Sequence, residues 1–285
     1  MNAYVDLHCH STASDGTMAP AEVVQLAKRS GLSAMALTDH DTIGGIAEAA
    51  EEAKKVGVDF LPGIEISAEF PAPGTLHLLG YGVDPQSAVL LDLTKQLLEG
   101  RDNRNPRMVA RLNELGIRVT MQEWEAESGG VVLGRPHLAK ILVQKGYVKT
   151  IKEAFDKYLG TTGAAYVDKE RLGPQRAMEL IRESGGVAVL AHPIQLRTGN
   201  DAELDRVVKD LVDLGLQGIE VIHSDHDAAW VEKVGELAGK YGLIKTGGSD
   251  FHGRTKEAIS LGVANGRKVP REWYEGLVGK IKRRG

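Results

Sequence analysis

The amino-acid sequence predicts an α/β protein in which parallel strands, wound by helical crossovers, close a barrel. Short apolar runs of strand length alternate with amphipathic helical stretches at both ends of the chain, the pattern of crossover-linked parallel strands. Histidines and carboxylates follow those runs, as happens where functional groups gather at the carboxyl ends of barrel strands. Between these two regions the alternation lapses into polar helical segments. The expected organisation is a barrel of residues 1–93 and 172–285 carrying a helical insertion of residues 94–171.

Tyr4 to Cys9 reads as the first strand. His8 and His10 sit two apart in it and so point to one face, and the polar turn Ser11 to Gly16 brings Asp15 to the mouth of their pocket. A lone His-x-His is equally compatible with ordinary hydrogen-bonded histidines, so the rest of the chain decides. Pro20 opens a helix through Arg29, with Val23, Val24 and Ala27 on its apolar side and Gly31 beyond its end. Ser33 to Leu37 is a second strand, delivering Thr38-Asp39-His40-Asp41 at its carboxyl end. Thr42 to Val56 is an alanine-rich helix stopped by Gly57. Asp59 to Ser67 (DFLPGIEIS) is a third strand carrying Glu65, and Thr75 to Gly82, after a Pro/Gly excursion, carries His77 near mid-strand.

Within the insertion, Arg101 to Leu115 and Pro136 to Gly146 read as helices. Arg101, Arg104, Arg107 and Arg111 fall near helical spacing and read first as a solvated face. Gly134-Arg135-Pro136-His137 combines a permissive glycine, a helix-starting proline and two phosphate donors, although capping alone accounts for the glycine and the proline. Alternation then resumes. Gly173 to Ser184 is helical, Gly186 to Leu190 is a buried strand ended by Ala191-His192-Pro193, and Ala202 to Leu214 is a helix. Gln217 to Ile222 is a strand leading to His223, Asp225 and His226. Ala228 to Tyr241 is a helix, Leu243 to Thr246 a short strand followed by GGSDFH, and Pro270 to Lys282 the last helix.

A length of 285 residues with 42% apolar content suits one barrel or two small domains. A net charge of -4 argues against long nucleic acid as a partner, because that affinity needs a basic face neutralising many phosphates. A small phosphorylated substrate remains compatible. The single cysteine, Cys9, excludes an internal disulfide framework and fits a reducing compartment. No apolar run is long enough to span a bilayer and no leader is evident, so a cytoplasmic location without a membrane or an obligate protein partner is expected.

Nine groups collect at or near strand ends: His8, His10, Asp15, His40, Glu65, His77, His192, Asp250 and His252. A structural zinc site needs about four ligands and usually recruits cysteine. Three four-coordinate cations sharing Glu65, with positions left open for water or substrate, need about nine. The inventory favours a multinuclear catalytic centre.

The stretches HCHSTASDG, TDHD, GIEIS, AHP and GSDFH resemble, in order, the motifs of the polymerase and histidinol phosphatase (PHP) family of metal hydrolases. The resemblance implies a distorted seven-stranded β/α barrel holding three divalent cations, manganese in the first place and iron or zinc as alternatives. It implies one cation on His8, His10, Glu65 and Asp250, a second sharing Glu65 with His77 and His192, and a third on Asp15, His40 and His252. Asp250 and His192 are then the catalytic residues, Asp250 also as a proton carrier, and the reaction is in-line attack of metal-activated hydroxide on a phosphomonoester. The insertion and its GRPH segment resemble the subgroup acting on nucleoside 3′,5′-bisphosphates and, in some members, trimming short RNA from its 5′ end. On that resemblance Arg135 and His137 clamp the uncleaved phosphate, helped by Arg197. His223 and His226 match no metal motif and are candidates either for supporting the ligands from behind or for substrate contact. The alternatives are exoribonuclease action on short RNA, histidinol phosphate hydrolysis, and a non-catalytic metal-binding module.

Overall fold

The computed structural model describes residues 3–128, 133–168 and 171–283. Its elements run β1 (Tyr4–Asp6), α1 (Pro20–Arg29), β2 (Leu32–Leu37), α2 (Ile46–Val56), β3 (Asp59–Ala68), β4 (Leu76–Tyr81), α3 (Ala88–Glu114), α4 (Met121–Ser128), α5 (Arg135–Gln144) and α6 (Ile151–Ala154). A π-helical turn over Phe155–Leu159 continues α6. Then follow α7 (Pro174–Glu183), β5 (Val187–Leu190), α8 (Asp201–Asp213), β6 (Gly218–Ile222), α9 (Ala228–Tyr241), β7 (Ile244–Gly247), β8 (Val269–Pro270) and α10 (Arg271–Lys282).

The sheet order is β7-β6-β5-β4-β3-β2-β1-β8. Backbone bonds from Leu7 N to Gly247 O (3.1 Å), Asp250 N to His8 O (2.8 Å) and His10 N to Phe251 O (2.9 Å) stitch the continuation of β1 to that of β7. The seven long strands thus form a distorted barrel, and two-residue β8 adds antiparallel to the start of β1. Gly248 permits the closure. A Cβ there would lie 2.4 Å from the backbone nitrogen and the Cβ of His8.

The expectation of an all-parallel sheet fails at one strand. β4 runs antiparallel to both β3 and β5, because the segment 69–75 is too short for the helical crossover that a parallel return requires. The reversal matters for the site. It puts the amino end of β4 beside the carboxyl end of β3, with His77 opposite Ser67, so a histidine that reads as mid-strand arrives at the same barrel end as the others.

Strand side chains alternate between two cores. Val5, Ala34, Ala36, Val187 and Val189 face the lumen with Leu7, Leu79 and Tyr81, while Ile64, Ile66, Ala188 and Leu190 face the outer helices. A third cluster, built from Met108, Leu112, Trp124, Leu138, Leu142 and Leu159, lies among the helices between β4 and α7. Helix α3 joins the two regions. Its Leu90, Leu93 and Leu97 pack on the outer core of the barrel, and its Met108 and Leu112 belong to the third cluster. At 27 residues and 1.5 Å per residue it spans about 40 Å. Among the described residues no helix is long and apolar enough to cross a membrane.

Candidate active site

Glu65 is the hub. It is fully buried on β3, and its oxygens meet five imidazoles: Oε1 lies 2.8 Å from His77 Nδ1 and 2.9 Å from His192 Nε2, and Oε2 lies 3.2 Å from His8 Nε2, 3.2 Å from His10 Nε2 and 3.1 Å from His40 Nδ1. Burial alone would raise its pKa, but the fields of His40, His8 and His77 hold the carboxyl well below the usual range. Asp250, beyond β7, approaches His10 Nε2 (3.4 Å) and His8 Nε2 (3.7 Å) with Oδ1, while Oδ2 lies 3.3 Å from His223 and pairs with Lys256. On the opposite side Asp15 Oδ1 is 3.3 Å from His252 Nε2 and 3.9 Å from His10 Nδ1.

All nine histidines and carboxylates singled out as ligands therefore face one basin. Ligand atoms of His10, Asp15, His40 and His252 lie within 4.8 Å of one another, as do those of His8, His10 and Asp250, of His8, Glu65 and His192, and of His40, Glu65 and His77. Both ring nitrogens of His10, His40 Nδ1 and His192 Nδ1 are buried without a hydrogen-bond partner. Burial pushes His192 down to about 4 and lowers His40 and His252 as well, favouring the neutral imidazole that ligates a cation. Orphaned ring nitrogens around shared carboxylates fit divalent cations of the manganese, iron or zinc kind.

Beside this basin opens a cavity lined by Asp15, His40, His77 and His252 and also by Arg101, Arg104, Arg135, Arg171 and Lys256. Arg101 and Arg104 depart from the expected solvated face: they are 8% and 6% exposed, because the segments that follow α3 pack over that side of it. Arg107 and Arg111 are exposed. Asn105 Oδ1 accepts two bonds from Arg104, at 3.1 and 2.7 Å, and so orients it. Arg135 donates to Leu159 O at 3.0 Å and lies over the rings of Phe155 and Tyr166. Burial, then the neighbouring Arg135 and Arg101, lowers Arg104 to about 9.

Three anticipated substrate residues fall elsewhere. His137 turns back to its own helix start, its Nδ1 accepting from Gly134 N at 3.3 Å, and it faces a separate groove with Thr17, Lys140 and Arg254; the helix start that predicts a phosphate donor uses this side chain as a cap. Arg197 is not among the residues lining the first cavity. It lines an adjoining cavity with Gln195 and Asp225 that shares Thr75, His77, Arg135 and Phe155 with the first. His226 lies behind His223, with Nδ1 bonded to Val221 O at 2.9 Å and its ring stacked on Trp230. His223 is closer, between Asp250 and the Asp225 amide.

Residues that sequence reasoning passed over are Glu220, Asp41, Arg171 and Lys256. Glu220 had a signal: Gly218-Ile219-Glu220 repeats Gly63-Ile64-Glu65, a carboxylate set in an apolar strand. It is fully buried, with Oε1 3.0 Å from His8 Nδ1. Arg171 and Lys256 carry no local signal, since only the fold brings them to the cavity.

The profile of the PHP domain matches residues 6–221. The chain is 36% identical over 253 residues to a 3′,5′-nucleoside bisphosphate phosphatase of Chromobacterium violaceum, covering 88% of this chain and 87% of that protein. It is 36% identical over 256 residues to a 5′-3′ exoribonuclease of Haemophilus influenzae, covering 88% and 91%. A solved amidohydrolase from Chromobacterium violaceum, with bound sulfate and no metal, superposes with a TM-score of 0.85 at 33% identity over 99% of this chain and 97% of that one.

Proposed function

The chain belongs to the PHP domain family and is a metal-dependent phosphoesterase, and from that premise we propose that it releases the 3′-phosphate of nucleoside 3′,5′-bisphosphates. The observation carrying this reading is the single cavity lined both by Arg101, Arg104, Arg135 and Arg171 and by Asp15, His40, His77 and His252. It offers two zones for anions. A substrate with two phosphates uses both, whereas a simple monoester uses one.

In this reading residues 94–171 act as a cap that supplies the second zone, with Arg171 at the end of the segment. Guanidinium forks match two phosphate oxygens at once, and Arg135 is pre-positioned by Leu159 and its two aromatic neighbours. The repulsion from Arg135 and Arg101, which adds to burial in lowering Arg104, is relieved by a bound dianion. His8, His10, Asp15, His40, Glu65, His77, His192, Asp250 and His252 would hold three divalent cations, manganese in the first place. Such cations supply charge neutralisation at phosphoryl oxygens and a nucleophile near neutral pH. Asp250, between His8, His10, His223 and Lys256, is placed to pass a proton, and buried His192 is held neutral beside Glu65.

A second reading, cleavage of short 5′-phosphorylated RNA, draws on the adjoining cavity of Arg197 and Gln195, which also reaches His77. The test is a substrate panel ranked by kcat/KM with manganese: adenosine 3′,5′-bisphosphate, adenosine 3′-monophosphate, histidinol phosphate and a 5′-phosphorylated dinucleotide. The bisphosphate should lead. A lead for the dinucleotide selects the second reading, and equal rates on bisphosphate and 3′-monophosphate remove the role of the arginine zone.

A further inference from the structure

We propose that Glu220 is a positioning residue that fixes His8 in the single tautomer able to bind a cation, while also anchoring the main chain of His192. Glu220 sits on β6, buried in the barrel, and lines neither cavity. Its oxygens have separate partners. Oε1 is 3.0 Å from His8 Nδ1, and Oε2 accepts the backbone N–H of His192 at 2.8 Å. The other nitrogen of His8, Nε2, faces the hub, 3.2 Å from Glu65 Oε2 and 3.7 Å from Asp250 Oδ1.

A neutral imidazole carries one N–H, and an ionised carboxylate only accepts. Beside Glu220, the hydrogen of His8 therefore belongs on Nδ1. That leaves the Nε2 lone pair aimed at Glu65 and Asp250, where the cation is placed. The second bond extends the same control to another ligand, because His192 leaves β5 at φ 25 and its amide has Glu220 as its acceptor. One carboxylate thus sets the ring of one ligand and the backbone of another.

Glutamine has the same shape but cannot serve both partners. If its oxygen takes the His192 amide, its NH₂ faces His8 Nδ1, which must then accept, and the hydrogen moves to Nε2 and blocks coordination. If the amide is flipped, its NH₂ meets the His192 N–H and leaves a buried donor unpaired. Outer carboxylates on ligating histidines typically contribute a factor of about 10–100 in metal affinity.

The inference rests on reading the basin as a cation centre, so the experiment separates the two. Manganese and zinc affinities of the full chain are measured by chelator competition for wild type, Glu220→Gln, His8→Ala and the double variant. In parallel, long-range proton–nitrogen spectra of the zinc-loaded protein, which is diamagnetic, report which His8 nitrogen carries hydrogen. Glu220→Gln should bind about 10–100-fold more weakly, and adding it to His8→Ala should cost little more. His8 should carry hydrogen on Nδ1 in wild type. Unchanged affinity in Glu220→Gln, or coordination of wild-type His8 through Nδ1, overturns the proposal. No cation uptake by wild type overturns the reading of the centre instead. Should Glu220→Gln not fold, as judged by melting of the metal-free protein, the wild-type spectrum decides alone.

Discussion

Arg101 Nη2 donates to Asp41 Oδ2 at 2.7 Å, an ion pair that ties α3 to the residue next to His40. The same carboxylate accepts Ser67 N at 2.9 Å through Oδ1, and the Asp41 amide donates to Glu65 O at 2.8 Å. Asp41 therefore joins the arginine zone to the strand that carries the hub. Both side chains are shielded, at 10% and 0% exposure. Removing one partner of a buried pair leaves the other charge uncompensated, at a cost of roughly 3–5 kcal/mol. Asp41→Ala should lose about that much in urea unfolding of the metal-free chain. A loss below about 1 kcal/mol, the scale of an exposed pair, would contradict the shielding described here.

Arg135 offers the sharpest test of substrate choice. A charged hydrogen bond contributes about 1.5–3 kcal/mol, so Arg135→Ala should raise KM for adenosine 3′,5′-bisphosphate about 10–100-fold and shift KM for the 3′-monophosphate far less. Arg135→Lys should recover only part, because an ammonium cannot fork onto two oxygens. An equal change for both substrates would place Arg135 outside the second-phosphate zone.

Asp15 faces His252 and His10 but lies apart from Glu65 in the ligand groupings. Asp15→Asn should therefore lower metal content, measured by elemental analysis, at the Asp15, His40 and His252 position while largely sparing cations around His8, His10 and Glu65. Equal loss from every position would refute that division.

The pH dependence of the metal-free protein follows from two histidines shifted in opposite senses from the ordinary 6.5. His10 is raised to about 9: burial opposes this, and the nearby carboxylates of Asp250 and Glu65 outweigh it. Its contribution is complete below 6.5 and lost as pH rises toward 9. His192 is lowered to about 4, chiefly by burial. Its neutral form adds stability that is lost as pH falls from 6.5 toward 4. The metal-free melting temperature should thus peak near pH 6.5. Loaded protein should stay stable well above that pH, since cation binding draws on deprotonated ligands. A metal-free profile that keeps rising to pH 9 would contradict the assignment for His10.

The α/β class, most of the helices and the set of histidines and carboxylates were legible in the sequence because each rests on short-range pattern. Alternation of apolar residues defines strands, helical spacing defines α1 and α9, and HCHSTASDG or GSDFH keeps its chemistry within a few residues. Even Glu220 was within reach, through the Gly-Ile-Glu it shares with Glu65. Other features depended on the tertiary structure. The reversal of β4 follows from a connection too short to cross over, and it carries His77 to the basin. Arg101 and Arg104 look solvated along α3 and become part of a cavity wall only when the segments that follow α3 pack over them. Arg171 and Lys256 reach the cavity from distant positions, and His137, adjacent to a cavity residue, is spent on a helix start. The sequence by itself determined which chemical groups are present and on which elements they ride, because those are local properties. Which of them face one another was decided by barrel closure and by packing of the insertion, because such contacts join residues far apart in the chain that no local period relates.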